Sequence, residues 1–132
     1  MMLLLKHLMT KDRKSLGKIG EELACRYLRR CGYRILDKNY RAKSGEIDIV
    51  ALDGKVLVFV EVKTRQTDAY GLPEESINIK KMHKLTRLAQ LYISYKKLYE
   101  AEARFDVVSI LMPRGFGKKS IKLIKNAFSA GD

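Results

Sequence analysis

Four charged side chains occur at alternating positions in two neighbouring apolar segments of this sequence. The segment GEIDIVAL carries Glu46 and Asp48, and the segment KVLVFVEVKT carries Glu61 and Lys63. Residues two apart on a β-strand point to the same face of a sheet. Carboxylates brought together on one face can share a divalent cation, so the spacing makes these residues candidates for a metal site.

The two segments are predicted to form a β-hairpin, because Asp53-Gly54 between them is a typical two-residue turn. In the resulting register Asp48 faces Phe59, and all four charged side chains lie on one side of the sheet. Asp48 and Glu61 are then diagonal neighbours, about 5–8 Å apart at the backbone.

Two interpretations explain carboxylates on such an apolar hairpin. Like charges on neighbouring strands are destabilising, and their burial costs more unless a cation compensates. Either Lys63 and nearby arginines neutralise the acids, or a metal does. Carboxylate oxygens favour Mg²⁺ or Mn²⁺. Glu46 in particular has an alternative role as the partner of an arginine.

An upstream helix, predicted within GKIGEELACRYLRRCGY, supplies another acid. Its apolar residues recur at helical spacing, and Gly32 is a natural stop. Glu21 lies about 110° from the centre of the apolar face and Glu22 about 145° from it. We therefore expect Glu21 to approach the hairpin and Glu22 to be solvated.

The remaining sequence predicts one α/β domain. A strand over YRILDKNY precedes the hairpin, a helix from about Ile79 to Tyr99 follows it, and RFDVVSIL and SIKLIKNAF read as late strands. The order α-β-β-β-α-β-β predicts a mixed sheet flanked by helices. We assign residues 1–14 to a flexible basic arm and residues 15–132 to a single domain.

The combination Gly17-x-x-x-Glu21, Asp48 and Glu61-Val-Lys63 resembles the signature of restriction-endonuclease-like nucleases, the PD-(D/E)xK superfamily. Archaeal Holliday-junction resolvases carry similar patterns. More closely, GEELACRYL, GEIDIVA and VFVEVKTR resemble the YraN-type bacterial family. The resemblance extends from about Leu16 to Leu111, and Ile47 stands where the superfamily name implies proline.

This resemblance implies a restriction-endonuclease-like fold and a Mg²⁺-dependent nuclease. Asp48, Glu61 and the Val62 carbonyl would hold the ion, with Glu21 acting through water. Lys63 would orient or help deprotonate the attacking water. Some nucleases with this fold work as dimers, so a homodimer is one expected arrangement.

Composition favours a polyanionic partner. The 132 residues include 27 Lys and Arg against 15 Asp and Glu, giving a formal charge of +12. Nucleic acid, most simply DNA, is the first candidate, and an anionic membrane surface is the second. Two histidines and no Cys-x-x-Cys argue against a zinc site. The N-terminal apolar run is too short for a signal peptide or a membrane span, and a cytoplasmic location is expected.

Further residues are candidates for contact with nucleic acid. Lys80, Lys84 and Arg87 form one stripe of the second helix, which could follow phosphates or be an ordinary solvated face. Arg65 and Tyr70 are candidates near the site. Tyr92, Tyr95 and Tyr99 could stack on unpaired bases, although core packing is the preferred prediction.

Three hypotheses follow from the sequence. The first is a metal-dependent endonuclease that hydrolyses DNA phosphodiester bonds, acting on branched or single-stranded forms. The second is a catalytically silent nucleic-acid-binding module with the same fold. The third is a basic scaffold that docks on another protein.

Overall fold

The computed structural model describes residues 13–67, 78–115 and 117–129. Two helices and five strands follow one another in the order α-β-β-β-α-β-β, as predicted. They are α1 (Arg13–Arg30), β1 (Arg34–Ala42), β2 (Gly45–Asp53), β3 (Val56–Arg65), α2 (Ile79–Lys96), β4 (Ala103–Leu111) and β5 (Ser120–Phe128). Neither described helix is long and apolar enough to cross a membrane.

The strands form one mixed sheet in the order β1-β2-β3-β4-β5. Neighbouring strands are antiparallel except for β3 and β4, which are parallel. A parallel pair needs a crossover connection, and α2 supplies it. This arrangement is consistent with the predicted restriction-endonuclease-like fold.

The sheet separates two apolar cores. Ile49 and Val58 pack with α1 on one face, whereas the adjacent residues Val50 and Phe59 pack with α2 on the other. Strands covered on both faces need continuous apolar sequence rather than strict alternation. This double burial explains the nearly continuous apolar run of β3.

Helix α1 ends as its sequence predicts. Gly32 has φ of 91°, and the amides of Gly32 and Tyr33 bond to the carbonyls of Arg29 and Leu28. This pattern is a Schellman motif. The helix begins at Arg13, before the expected domain boundary at 15, and residues 1–12 of the predicted arm lie outside the described residues.

Helix α2 is shorter than predicted. The side chain of Asn78 caps its N-terminus by accepting from the amide of Lys81 at 2.9 Å. It ends at Lys96 rather than near Tyr99, because Lys97 adopts a left-handed conformation with φ of 56°. Nothing in the helical periodicity indicates this stop, since lysine rarely takes that conformation.

The predicted hairpin turn is wrong by one residue. Gly54-Lys55 forms the loop, and Leu52 pairs with Leu57 instead of Lys55. Gly54 has φ of 61°, which suits a turn that takes glycine at its first central position. As a result Val50, rather than Asp48, faces Phe59.

A polar network fixes the closed end of the hairpin. The buried carboxylate of Asp106 accepts from Tyr33 Oη at 2.7 Å and from Arg104 Nε at 2.8 Å. Arg104 also donates to Asp53 Oδ2 at 2.8 Å, and the amide of Asn126 donates to Asp106 at 3.0 Å. The network therefore ties the β2–β3 turn to β4 and β5.

A close approach of α1 to β3 fixes the opposite end. Gly20 is buried, and a Cβ atom at this position would collide with Thr64 Oγ1. Thr64 Oγ1 is itself buried, and within the described part of the chain it has no hydrogen-bond partner. Because Glu21 follows directly, glycine at position 20 lets the helix bring that acid against the sheet.

We predict opposite effects for alanine at two glycines of α1. Gly20→Ala should lower the free energy of unfolding by about 1–3 kcal/mol, because the methyl group forces the helix away from Thr64. Outside its own helix, no atom of the described residues lies within 4 Å of the position that a Cβ at Gly17 would take. Gly17→Ala should therefore raise stability by about 0.5–1 kcal/mol through helix propensity. Urea denaturation measures both, and equal stabilisation by the two changes would contradict the close contact.

Candidate metal centre and basic groove

The two central strands part in the middle of the sheet. The β2–β3 ladder runs from Asp53–Val56 to Ile49–Val60, its last pair. Beyond this pair β2 continues along β1 to Gly45, and β3 continues along β4 to Arg65. An opening therefore lies between the strands, and Asp48 and Glu61 are the first residues on its two sides.

Asp48 lies in this opening. Its Oδ2 atom accepts a hydrogen bond of 2.8 Å from the amide of Val62, in place of a partner on the neighbouring strand. Both backbone groups of a strand residue point to the same edge of the strand. The Val62 carbonyl therefore points toward the same opening.

Two further acids lie beside Asp48, Glu21 of α1 and Glu46 of β2. Glu21, Glu46 and Asp48 each offer a carboxylate oxygen, and these oxygens lie within 4.8 Å of one another. Asn39, with φ of 54°, donates to Glu21 at 2.9 Å and to Glu46 at 3.1 Å when its amide nitrogen faces the acids. Arg41 Nε pairs with the other oxygen of Glu46 at 2.8 Å.

Glu61 is held on the side of α2. The residue is buried, and its Oε1 atom lies 3.5 Å from Lys63 Nζ and 3.2 Å from Lys81 Nζ. Lys63 follows on the same strand, whereas Lys81 belongs to α2. Two ammonium groups therefore neutralise this carboxylate.

The proximity of these acids changes their proton affinity. The pKa of Asp48 is raised from 3.8 to about 8, chiefly by burial and then by the charge of Glu61. Glu21 and Glu46 act in the same direction, and the Val62 amide opposes them. The pKa of Glu21 is also raised, chiefly by burial, although its hydrogen bond with Asp48 lowers it. At neutral pH Asp48 thus keeps a proton that it can share with Glu21.

Each interpretation of the charged hairpin accounts for part of this cluster. Among the described residues, cations form ion pairs with Glu46 and Glu61 but not with Asp48 or Glu21. Ion pairing explains the first two acids. The other two remain a half-buried carboxyl pair that binds a proton, and a divalent cation could replace that proton.

A basic groove adjoins the acidic opening. It has a volume of about 380 Å³ and is lined by Ser44, Lys80, His83, Lys84 and Arg87. The acidic depression, of about 310 Å³, contains Asp48 and Glu61 and is also lined by Lys84. The aliphatic end of Lys84 lies against Gly45, where a Cβ would approach its Cε to 2.5 Å. Lys84 therefore forms the boundary between the two depressions.

The structure brings together most of the residues selected from the sequence. Asp48, Glu61, Lys63 and Glu21 meet at the opening, and Glu22 is exposed as predicted. Lys80, Lys84 and Arg87 line one groove. Arg65 ends β3, where its carbonyl accepts from the amide of Met112 at 2.7 Å. Tyr70 falls outside the described residues.

Asp48, Glu61 and Lys63 were expected on one sheet face, with Glu21 approaching from the first helix. Glu21 reaches Asp48 from α1, and Asp48 and Glu61 line one depression, in which Glu61 contacts Lys63 of β3 and Lys81 of α2. The gap between the strands makes both approaches possible. The prediction that Tyr92, Tyr95 and Tyr99 pack in the core is confirmed for Tyr92, which is 1% exposed. It is wrong for Tyr95 and Tyr99, which are 71% and 67% exposed.

Sequence reasoning missed Asn39 and Lys81. Asn39 lies on an edge strand whose polar residues have no distinctive pattern. Its left-handed conformation is one that asparagine tolerates, but the sequence does not require it. Lys81 belongs to a run of basic residues, and only the packing of α2 on the sheet distinguishes it from Lys80.

We predict that Asp48→Asn stabilises the metal-free protein, and does so more at about pH 8 than at about pH 5. Between about pH 4 and pH 8 the unfolded chain has lost the Asp48 proton, whereas the folded protein keeps it. The folded state then binds more protons, so its stability falls as the pH rises. Asparagine keeps the acceptor for Val62 and removes this loss, which amounts to at most about 1.4 kcal/mol per pH unit.

Melting temperatures measured with chelator across this pH range test the prediction. Glu22→Gln is the matched control, since it changes an exposed acid of the same helix as Glu21. We expect its melting curve to follow the native chain at each pH. A stabilisation by Asp48→Asn that does not vary with pH would show that Asp48 does not retain a proton in the folded protein.

Comparisons with known proteins identify the family. The sequence pattern of "Uncharacterised protein family UPF0102" matches residues 20–110. A UPF0102 protein of Syntrophus aciditrophicus is 48% identical over 113 residues, covering 85% of this chain and 87% of its own. UPF0102 proteins of Clostridium botulinum (strain Kyoto) and Alkaliphilus metalliredigens are 47% and 45% identical over 87% of this chain, covering 94% and 98% of theirs. The resemblance to the YraN-type family is thus confirmed, and the chain belongs to the UPF0102 family.

Proposed function

We propose that this protein binds nucleic acid and hydrolyses phosphodiester bonds of DNA with the help of Mg²⁺ or Mn²⁺. One observation carries the proposal. A half-buried carboxyl with a raised pKa, Asp48, lies in an opening between strands beside Glu61 and Lys63, and a basic groove begins at the same opening. Perturbed carboxyls in a cleft are typical of functional sites.

The donor atoms present fit a hard divalent cation. Asp48 and Glu61 offer carboxylate oxygens, and the Val62 carbonyl points toward the same opening. Mg²⁺ prefers such oxygens and commonly keeps several waters, through which Glu21 can contribute. The proton retained by Asp48 indicates negative charge that the described residues leave uncompensated.

The chain supplies the groups around the reaction. A cation bound there would polarise a phosphate and lower the pKa of a bound water. Lys63 Nζ, next to Glu61, is placed to orient that water and to offset negative charge on the phosphate in the transition state. Glu21 and Asn39 hold the edge of the site through their hydrogen bonds.

Lys81 has a separate role in this proposal. Its ammonium group is 3.2 Å from Glu61, so it stabilises the carboxylate before a cation binds. A cation must therefore compete with Lys81 for Glu61. Once released, the Lys81 ammonium group lies at the opening, where it can contact a phosphate of the substrate.

The basic groove gives the substrate a path to the site. Phosphates attract lysine and arginine without regard to sequence. Lys80, Lys84 and Arg87 line the groove, and Lys84 also lines the acidic depression. A strand bound in the groove would thus lead its backbone toward Asp48 and Glu61. The formal charge of +12 supports an anionic partner in general.

The silent binding module is the alternative that a specific observation favours. Lys63 and Lys81 together satisfy Glu61 without any metal, as a structural ion-pair cluster would. That alternative predicts nucleic-acid binding with no cleavage and no response to divalent cations. The docking scaffold predicts neither property.

We predict that Glu61→Gln and Lys63→Met both reduce cleavage by at least about 100-fold but change binding in opposite directions. Glu61→Gln removes a negative charge near the phosphates and frees two lysines, so binding should strengthen. Lys63→Met removes a positive charge, so binding should weaken. Cleavage assays with Mg²⁺ and Mn²⁺ on duplex, single-stranded, flap and four-way-junction DNA, with binding measured in chelator, provide both readouts.

Glu22→Gln again serves as the control, and both of its readouts should match the native chain. Simple unfolding cannot produce opposite signs on binding with the same sign on cleavage. If the native chain binds DNA but cuts none of these substrates with either cation, the silent module replaces the nuclease.

We also predict that Lys81→Met tightens Mn²⁺ binding about fivefold. The variant removes a competitor for Glu61, and a partly exposed ion pair is worth about 1 kcal/mol. Lys80→Met is the matched control, because Lys80 lines the basic groove instead of contacting Glu61. Calorimetric titration gives both affinities. Unchanged or weaker binding by Lys81→Met would show that Glu61 is not a ligand.

A cytoplasmic location accompanies the proposal. Cys25 is buried and Cys31 is exposed, and both are free thiols. Reduced cysteines suit a compartment in which thiols are kept reduced. DNA is present in the same compartment of a bacterial cell.

A further inference from the structure

An exposed aromatic end continues the basic groove along α2. Tyr95 is 71% exposed and Leu91 is 45% exposed, whereas Tyr92 between them is buried. At about 100° per residue, Arg87, Leu91 and Tyr95 fall with Lys84 in an arc of about 80°. The groove residues and Tyr95 therefore share one stripe of the helix.

Distance separates this aromatic end from the acidic opening. Tyr95 follows Lys84 by eleven residues, which is about 16 Å at a rise of about 1.5 Å per residue. Tyr95 is thus too far from Asp48 and Glu61 to take part in the chemistry. It can instead contact the same substrate several nucleotides away.

One lysine lies beside the tyrosine ring. Lys96 Nζ lies 5.2 Å from the centre of the Tyr95 ring, although it is also 4.0 Å from Asp37 Oδ2. A second copy of the chain would bring this face against a like-charged face in a symmetric dimer. Charge complementarity therefore favours a polyanion over a second copy on this stripe.

We propose that Tyr95 stacks on an unpaired base of the strand whose phosphates occupy the basic groove. The substrate accordingly includes a single-stranded segment beside the cleaved bond. A cationic track with an exposed aromatic ring in line is a common way to bind single strands. A base inside a duplex cannot offer its face to such a ring without leaving the helix. The inference rests on the nuclease proposal and specifies its substrate.

Oligonucleotide binding in chelator tests this inference without cleavage. The probes are a single strand of about 12 nucleotides, the corresponding blunt duplex, and that duplex with a single-stranded extension. Each carries 2-aminopurine, whose fluorescence is quenched on stacking. The variants are Tyr95→Ala, Tyr95→Phe and, as an exposed tyrosine off the stripe, Tyr99→Ala.

For Tyr95→Ala we expect single-strand affinity to fall about fivefold to a hundredfold. The quench at one position of the strand should disappear, and blunt-duplex affinity should not change. Tyr95→Phe should behave like the native chain, since it keeps the ring. The salt dependence should keep its slope in Tyr95→Ala, whereas Lys84→Ala should reduce the slope by about one.

Several results would overturn the inference. Single-strand affinity and quench that survive Tyr95→Ala would remove the stacked base while leaving the nuclease proposal intact. An equal loss in Tyr99→Ala would reject Tyr95 as the platform, and an equal loss on the blunt duplex would point to a duplex end. Self-association abolished by Tyr95→Ala with unchanged DNA affinity would assign the face to a second copy. A native chain that binds none of the probes would refute the proposed function as well.

Discussion

The parting of β2 from β3 after the Ile49–Val60 pair is the feature on which the candidate site depends. A continuous ladder would have paired the Val62 amide with β2. Instead the amide bonds to the Asp48 carboxyl group, and a half-buried acid occupies space that backbone would otherwise fill. The surrounding acids then raise the pKa of Asp48 to about 8. Strand geometry thus creates the electrostatic conflict that a bound cation would relieve.

The two ends of the hairpin are stabilised in different ways. At the closed end, Asp106 and Arg104 satisfy one another and tie the turn to β4 and β5. At the open end, polar groups converge without full compensation, and Gly20 lets α1 press its Glu21 toward Asp48. Well-paired polar networks stabilise a fold, whereas poorly compensated ones commonly mark function. The closed end can therefore stabilise the hairpin while the carboxylates at the open end keep their mutual repulsion.

Sequence reasoning predicted the element order and the approach of Glu21, because both follow from hydrophobic periodicity. It misplaced the turn, and the partners of β2 residues consequently moved two positions along β3. A register shift of two residues keeps every side chain on its original face of the sheet. Glu61 and Lys63 were therefore still predicted on the correct face. The opening itself was not predictable, since the end of the β2–β3 ladder at Ile49–Val60 has no signal in the hydrophobic pattern. For the same reason Lys81 could not be distinguished from Lys80.

We propose that the opening between β2 and β3 holds a divalent cation on Asp48 and Glu61. Anomalous diffraction from crystals soaked in Mn²⁺ tests it most directly, because it locates the ion without reference to activity. We expect an anomalous peak in the opening, within bonding distance of both carboxylates, with Lys81 displaced from Glu61. No peak there, or an ion held by Glu21 and Glu46 while Glu61 stays paired with Lys81, would contradict it.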